Sequence, residues 1–437
     1  MSSAETTPLL SNASLYDVTK QALTGHHYKP DLLAERPEQG SSFAVYAVVV
    51  CIVAGSGTLG LPYALKLGGW IGVGVVILSL LMSIYTSVLL VRCLYYDGVQ
   101  RLSSYQEVGR HAFGKAGLWT VWFFYATTVI GAPVMFLILA GTGLKAVSTL
   151  DISVKMWIWI CATIVAIPFV LIKTMKEAAI TSVLGALATV VLVIVAVRGS
   201  IVDLDNPVYA DVNHSFVIFS HLPTAIASIS MCFGGNAIYI HVEESMRYPK
   251  SWNRVVAAAL CTCTVFYLTV AIPGYMAYGD LAESPILNNL PKDSFTTLGT
   301  VVIIVHVLLT APLLLTSFAL EIERLANITV SSRGQVMERV YRTVLRLVIV
   351  GVCACIACTV PYFGDFLSLL GALSNCTLIF VLPVVFYAKL VGWRQMGWLE
   401  LIWCMIIIVI GVVSAIIGSI DAIQALKEDF ENDPSII

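Results

Sequence analysis

From Phe43 to Ile423 the chain alternates long runs of Val, Ile, Leu, Ala and Phe with short polar stretches. Each run approaches the ~20 residues an α-helix needs to cross the hydrocarbon of a bilayer. Strands of a membrane barrel would alternate apolar and polar residues in short segments instead. Only a helix satisfies every backbone group within one uninterrupted apolar run. The pattern predicts eleven spans, with cores at 43–66, 70–96, 117–145, 156–173, 178–198, 216–242, 255–278, 295–322, 343–360, 364–390 and 398–423. The clearest loops fall at 97–116, 199–215, 243–254, 279–294 and 324–341. The fold class is thus an all-α polytopic membrane protein. A polar tail at 1–41, expected to be disordered, precedes a transmembrane domain at 42–425, and a short tail follows at 426–437.

Charge tests this count. With the amino terminus in the cytoplasm and alternating loops, nineteen Lys and Arg fall on the cytoplasmic side and six on the other. That asymmetry is the positive-inside bias of membrane proteins, and one helix more or fewer midway would scramble it. The carboxyl terminus then lies outside or in a lumen. Asn213-His-Ser215 falls in the outer loop 199–215 and is a glycosylation candidate, whereas the sequons at Asn12 and Asn327 stay cytoplasmic and bare. The polar first forty residues, followed by a full-length span, predict no cleaved signal peptide.

Composition narrows the class further. The chain of 437 residues is 58% hydrophobic and 12% charged, with a net charge of −2. Nothing in that balance points to nucleic acid. The eleven cysteines lie in or beside apolar segments, so no disulfide framework is expected. Cys261 with Cys263, and Cys353, Cys355 and Cys358, have metal-like spacing, but no second Cys/His cluster completes a zinc site. No metal, cofactor or catalytic residue is predicted. Ser56 has Ala54 where the first glycine of an intramembrane serine protease's Gly-x-Ser-Gly would stand and has no evident His partner, and no His-Glu-x-x-His is present.

Two spans interrupt themselves. Gly55-Ser56-Gly57-Thr58 sits near the middle of the first, and Phe233-Gly234-Gly235-Asn236 near the middle of the sixth. Glycine in a helix interior costs about 1 kcal/mol relative to alanine. Opening a helix at mid-membrane frees amides and carbonyls, which is tolerable only where they face protein, water or a ligand. Freed amides at a half-helix start suit a carboxylate, and freed carbonyls suit a cation or an ammonium. Glycines also let membrane helices pack closely. It is the second break, five helices after the first, that points to a ligand. An odd number of helices per repeat inverts the second copy, and matched breaks in inverted halves mark the midplane site of a secondary transporter.

At these residues the chain resembles the amino acid/auxin permease family, also called the transmembrane amino acid transporter family. "GSGTLGLPYAL" is similar to its first-helix motif and "FGGNAIYIHVEESMRYPK" to its sixth-helix motif. The resemblance covers about residues 41–425 and is closest to vacuolar or lysosomal members. It implies a leucine-transporter-type fold, with spans 1–5 and 6–10 as inverted repeats and span 11 peripheral. It also implies amino-acid transport. Gly55, Ser56, Gly57 and Thr58 would meet the substrate carboxylate, and Phe233, Gly234, Gly235 and Asn236 would lie beside the amine and side chain. Tyr125 and Thr128 on span 3 would add polar contacts.

Sodium-coupled members carry an Asn four residues before the first glycine of the motif. Here that position is Cys51, a poor ligand for a hard cation. Proton coupling is therefore expected, with sodium coupling as the alternative through Thr310. The candidates for the coupling ion are His306, Thr310 and Glu244. Glu243 and Glu244 beside Arg247, and Glu321 and Glu323 beside Arg324, read mainly as gate or ion-pair residues. Asp365 reads as a helix cap, and Arg333, Arg339, Arg342 and Arg346 as an inner-face loop touching anionic lipid. Neither break carries a charged group, so the substrate is expected to be neutral. Glu5 with Leu9 and Leu10 resembles an acidic dileucine sorting signal, which implies an adaptor partner and a vacuolar or lysosomal membrane rather than the plasma membrane. A sensing receptor of the same fold remains the other reading.

Overall fold

The computed structural model describes residues 33–171, 178–326, 328 and 334–432, with the backbone alone for 178–183 and 432. Glu5, Leu9, Leu10, Asn12, Asn327, Lys20, Lys29, Lys173, Lys176 and Arg333 lie outside the described residues. Among those described, eleven helices are long and apolar enough to cross a membrane. They are α1 (Ser42–Gly68), α2 (Ile71–Leu94), α3 (Tyr105–Val147), α4 (Val154–Leu171), α5 (Ala178–Asp203), α6 (Leu222–Glu244), α7 (Pro249–Leu281), α8 (Ser294–Leu325), α9 (Gln335–Thr359), α10 (Phe363–Gln395) and α11 (Trp398–Asn432). The one β feature among the described residues is an isolated bridge between Gly40 and Met246.

Burial sorts these helices into an inner and an outer set. In their apolar windows α1 is 72% and α6 83% buried, against 28% for each of α4, α9 and α11. The two broken helices therefore run through the centre, and the unbroken ones present Leu, Ile and Val to lipid. Outward residues such as Ile402, Ile406 and Val409 on α11, or Ile164 and Ile167 on α4, are exposed for that reason. α3 and α8 make the most extensive helix pair and flank the centre.

The structure departs from the expected boundaries in three places. The loop expected at 97–116 contains the start of α3. Ser104 caps it by accepting from the Glu107 amide at 3.2 Å, and the Glu107 carboxylate accepts from the Ser103 amide at 2.7 Å. The helix then kinks at Phe113–Gly114, where Gly114 takes φ +64°, a left-handed value that glycine adopts without strain. The two legs fold so closely that a Cβ on Gly109 would lie 2.6 Å from the Gly117 carbonyl oxygen. This elbow ties to α10, because the Tyr105 hydroxyl donates to the Leu378 carbonyl at 2.8 Å.

The second departure corrects the expected basic loop before span 9. α9 begins at Gln335, and two of its arginines, Arg342 and Arg346, turn inward rather than toward lipid, while Arg339 stays exposed. Arg346 is fully buried, pairs with Glu323 at 2.9 Å, and donates to the Phe169 carbonyl at 2.6 Å. Arg342 pairs with Glu323 at 3.2 Å and with Glu338. Glu323 therefore joins α8 to α9 and does not pair with its neighbour Arg324 in the way the sequence suggested. Burying a charge is tolerable only when it is paired and hydrogen-bonded, and this cluster satisfies that condition.

The third departure is that α11 continues to Asn432. Its last turns reach back over the end of α10. The Tyr362 hydroxyl donates to the Asp429 carbonyl at 3.1 Å, and the Thr224 hydroxyl of α6 donates to Asp421 at 2.7 Å.

Candidate functional site

α1 is helical from Ser42 to Val53, bends at Ala54 and Gly55, makes a 3₁₀ turn over Ser56–Gly60 and resumes as α-helix over Leu61–Gly68. α6 is helical over Leu222–Cys232, opens at Phe233, Gly234 and Gly235, and resumes over Asn236–Glu244. Both openings occur where the sequence places paired glycines. A 3₁₀ turn leaves its first amides without partners inside the helix, so Ser56 and Gly57 offer theirs to whatever lies beside them.

What lies beside them is a central cavity of about 60 Å³. Gly55, Ser56 and Gly57 of α1 line it, with Gly234 of α6 and His306 and Thr310 of α8. The remaining wall is mostly apolar, from Val129, Ala132, Met135 and Phe136 of α3 to Leu314 of α8 and Leu367 of α10. Thr128 also lines it, its hydroxyl donating to Ser374 of α10 at 3.0 Å.

The structure separates the expected contact residues into two groups. Gly55, Ser56, Gly57, Gly234 and Thr128 reach the cavity; Thr58, Tyr125, Phe233, Gly235 and Asn236 are not among its lining residues. The Thr58 hydroxyl turns back to the Ala54 carbonyl at 3.1 Å. Tyr125 lies 3.4 Å from the Ser317 hydroxyl of α8. Phe233 is buried edge-on against Tyr267 of α7, with ring centroids 5.3 Å apart. Asn236 donates to the Ile379 carbonyl at 3.3 Å and accepts from Ser87 at 3.2 Å, joining α6 to α10 and α2. A Cβ on Gly235 would meet the Tyr239 ring at 2.2 Å, so that glycine admits a ring.

Close packing and an open backbone coexist at the breaks. A Cβ on Gly57 would lie 3.1 Å from Cys232 Cα, and one on Gly60 would lie 2.5 Å from Leu367 Cδ2. Gly57 lets α1 and α6 touch, and its carbonyl accepts from the Cys232 thiol at 3.2 Å.

Three residues that sequence reasoning missed hold the breaks in place. The Tyr267 hydroxyl stands 2.6 Å from the Val53 carbonyl and 2.5 Å from the Cys232 carbonyl. These are acceptors that the two openings strip of helical donors. The Asn375 amide donates to the Ser230 carbonyl at 2.6 Å, and Ser374 holds Thr128. The signal for the last two was a polar Ser-Asn pair inside the apolar run of span 10. Tyr267 carried no such signal.

The candidates for the coupling ion also separate. His306 is 3% exposed, and its Nδ1 has no hydrogen-bond partner. Its Nε2 would lie 3.3 Å from a Cβ on Gly55. Thr310 donates its hydroxyl to the His306 carbonyl at 2.8 Å. Glu244 lies away from the cavity with its side chain 56% exposed. Its neighbour Glu243 is the buried one, fully enclosed and paired with Arg101 at 2.9 Å and Arg36 at 3.3 Å. Tyr95 donates to Glu243 at 2.6 Å, and Arg36 also donates to the Glu243 and Glu244 carbonyls. The segment before α1 lies against this cluster. The Arg36 amide donates to the Arg247 carbonyl, and the Arg247 amide donates to the Gly40 carbonyl. Glu35 pairs with Arg247 at 2.8 Å and holds its guanidinium above the ordinary pKa range. The basic end of the bundle is thereby closed.

The opposite end is open. A cavity of about 530 Å³ is lined there by Tyr63, Lys66, Glu283, Asp365, Glu428 and Asp429. Asp365 sits in the first turn of its helix, whose N-cap is Tyr362, and accepts from the Tyr63 hydroxyl at 3.2 Å. It is therefore not the cap that the sequence suggested. Leu367, seated on Gly60, lines the central cavity one half-turn deeper. The larger cavity is a vestibule. The smaller one lies where the two helices open, which makes it the candidate site. Asn213 is exposed at this same end, its amide donating to Asp280 at 3.1 Å.

Comparison with known proteins agrees with this geometry. The chain is 26% identical over 390 residues to amino acid transporter AVT1C of Arabidopsis thaliana, covering 87% of this chain and 69% of that one. It is 28% identical over 440 residues to amino acid transporter AVT3C of Arabidopsis thaliana, covering 89% and 92%. Among solved structures, MhsT in complex with L-phenylalanine matches with a TM-score of 0.59 at 11% identity, covering 89% of this chain and 100% of that one. A manganese transporter of Eremococcus coleocola matches with a TM-score of 0.56 at 13% identity, covering 93% and 95%. These likenesses give the fold, which is of the leucine-transporter type. The profile of the family described as transmembrane amino acid transporter protein matches residues 38–424, and the chain belongs to that family.

Proposed function

We propose that this protein is a proton-coupled secondary carrier of neutral amino acids that works by alternating access. The observation that carries the reading is the central cavity at the crossing of two opened helices. The amides of Ser56 and Gly57 suit the substrate carboxylate, since the start of a helical turn favours negative charge. Carbonyls of the two breaks suit the ammonium. The apolar wall from α3, α8 and α10 takes the side chain. Among the described residues no carboxylate or Lys/Arg side chain lines the cavity, which favours a neutral substrate.

Proton coupling is supported by the ligand set. Cys51 stands where a sodium site would want an oxygen, and the Thr310 hydroxyl is engaged by its own helix. His306 lines the cavity with one face and is the group we assign to carry the proton. The Lys and Arg excess supports a cytoplasmic position for the closed end, with Arg36 and Arg101. The vestibule at Asp365 then faces the lumen or the exterior. The acidic dileucine pattern at Glu5, Leu9 and Leu10 favours a vacuolar or lysosomal membrane reached through an adaptor.

The test is uptake by purified protein in liposomes, across a panel of amino acids, with the pH gradient imposed in each sense. Accumulation of neutral amino acids that follows the proton gradient and ignores a sodium gradient is expected. Binding without counterflow would identify a receptor and overturn the carrier reading.

A further inference from the structure

We infer that Gly185 of α5 is a positioning residue for proton coupling: by carrying no side chain, it seats the His306 imidazole against the break in α1. The inference rests on the assignment of the coupled proton to His306. The imidazole stands between two glycines. A Cβ on Gly55, at the break of α1, would lie 3.3 Å from His306 Nε2. A Cβ on Gly185 would lie 2.9 Å from Cε1 and 3.0 Å from Nδ1 of the same ring. α5 packs on both α1 and α8, so three helices meet at this one side chain.

Shape, rather than hydrogen bonding, holds the ring there. His306 is almost fully buried, and its Nδ1 has no hydrogen-bond partner. Thr189, one turn along α5, gives its hydroxyl to the Gly185 carbonyl at 3.1 Å, and Thr310 gives its own to the His306 carbonyl. Neither serves the imidazole. In a close-packed interior a ring without a fixed partner takes its place from its walls, and Gly185 is the wall at the Nδ1 edge. Glycine is disfavoured inside a helix relative to alanine. At this position a methyl would overlap Cys51 Sγ of α1 as well as the ring, so the missing side chain is what lets α1, α5 and α8 close together.

Among the described residues the titratable side chain beside the imidazole is Cys51 of α1, and no Asp, Glu, Lys or Arg lines the cavity that the ring borders. The distance of the ring from the α1 break, and not a neighbouring charge, therefore decides how its proton is felt there. A Cβ on Gly185 would force the ring back by about 0.5 Å, from 2.9 Å to the 3.4 Å at which ordinary contact begins. A misplacement of about 1 Å in a working site can cost about a hundredfold in rate, so half of it is expected to cost on the order of tenfold.

The experiment uses the full chain in liposomes. The probe is the neutral amino acid that the parent chain carries fastest, measured as uptake driven by a pH gradient and as counterflow at equal pH. Gly185→Ala should cut gradient-driven uptake on the order of tenfold and leave counterflow near the parent rate, because exchange moves no net proton. Gly299→Ala is the control. Gly299 lies on α8 two turns before His306 and also packs on α5, where a Cβ would meet Val195 Cγ1 at 2.7 Å. It overpacks the same helix pair without touching the ring, so it should lower thermal stability and slow both assays in proportion. An equal loss in both assays for Gly185→Ala would make that glycine a packing residue alone and overturn the inference. Adding Cys51→Ala to Gly185→Ala should not restore gradient-driven uptake, since the ring stays displaced. Restoration would lay the effect on the thiol and overturn the inference as well. His306→Gln separates this inference from the reading beneath it. Gradient-driven uptake that survives His306→Gln takes the proton away from His306 and sinks that reading. Uptake that His306→Gln uncouples and Gly185→Ala leaves coupled sinks the positioning role alone.

Discussion

The Tyr267 hydroxyl donates to the Val53 carbonyl over 2.6 Å, and the Cys232 carbonyl lies 2.5 Å from the same oxygen. One hydroxyl of α7, with a single proton to give, thus stands against two acceptors that the openings of α1 and α6 leave without helical amides. Removing the hydroxyl takes away the one proton these buried carbonyls share. An unsatisfied buried polar group costs about 1–3 kcal/mol. Tyr267→Phe should therefore lower thermal stability by that order and depress transport, with little change in the apolar packing against Phe233. A variant that keeps the parent melting temperature and uptake would show that water or another donor already serves both carbonyls.

Gly57 and Cys232 make a second test of the same crossing. A methyl group on Gly57 would meet Cys232 Cα and Sγ at 3.1 Å, and backbone cannot move aside as a flexible side chain can. Gly57→Ala should push the two breaks apart and reduce uptake more than it reduces stability. Overpacking costs about 1–3 kcal/mol in a closely packed core. At Gly74, where nothing lies within 4 Å of a Cβ, the same substitution should leave uptake intact. Equal uptake in the Gly57 and Gly74 variants would show that the contact between the breaks is immaterial to transport.

The breaks themselves were legible because glycine pairs inside an apolar run have no purpose in an ordinary lipid-facing helix. The number of helices was legible for the same reason, since each run had to satisfy its own backbone. Partners that depend on which helices cross were not legible. Tyr267 lies in an apolar run that also holds Tyr275 and Tyr278, and nothing local tells which of them turns to α1. Arg346 read as part of a solvated or lipid-facing loop because its local sequence is basic. Only the fold brings Glu323 and the Phe169 carbonyl to it. Glu243 and Glu244 are neighbours in sequence and opposite in burial. About a quarter of a helical turn decides between them, and that phase was set by tertiary packing.

Glu243 supplies the third prediction. Its carboxylate sits between Arg101 and Arg36 with no exposure of its own. Removing one partner of a buried ion pair is destabilising by about 3–5 kcal/mol when both groups are enclosed. Here the arginine side chains are 14% and 23% exposed, so water recovers part of the loss and the cost falls below that range. Glu243→Gln should loosen closure of the basic end. A cysteine introduced at Ala237, on the cavity side of α6, should then be labelled faster by a reagent applied from that end. Unchanged labelling would mean that the strap at Gly40 and Met246 holds the end shut without the charges.

Asp293 and Arg198 provide a pH test that the proposed acidic lumen makes relevant. Asp293 caps α8, accepting from the Thr296 amide at 2.8 Å, and pairs with Arg198 of α5. The Arg198 guanidinium, helped by that amide, holds the carboxyl down to about 2, against an ordinary value of 3.8. A carboxyl lowered in this way favours the folded state at every pH above the unfolded value. Its contribution fades only as pH falls from there through the folded value. A lumen at about pH 5 lies above that window, so the link between α5 and α8 persists there while imidazoles change charge. Asp293→Asn keeps a capping side chain and removes the ion pair, whose exposure makes its worth small. The shift in melting temperature relative to the parent should be the same at pH 7 and pH 5. A shift that shrinks on going to pH 5 would show that the carboxyl already titrates in that range and that Arg198 does not hold it down.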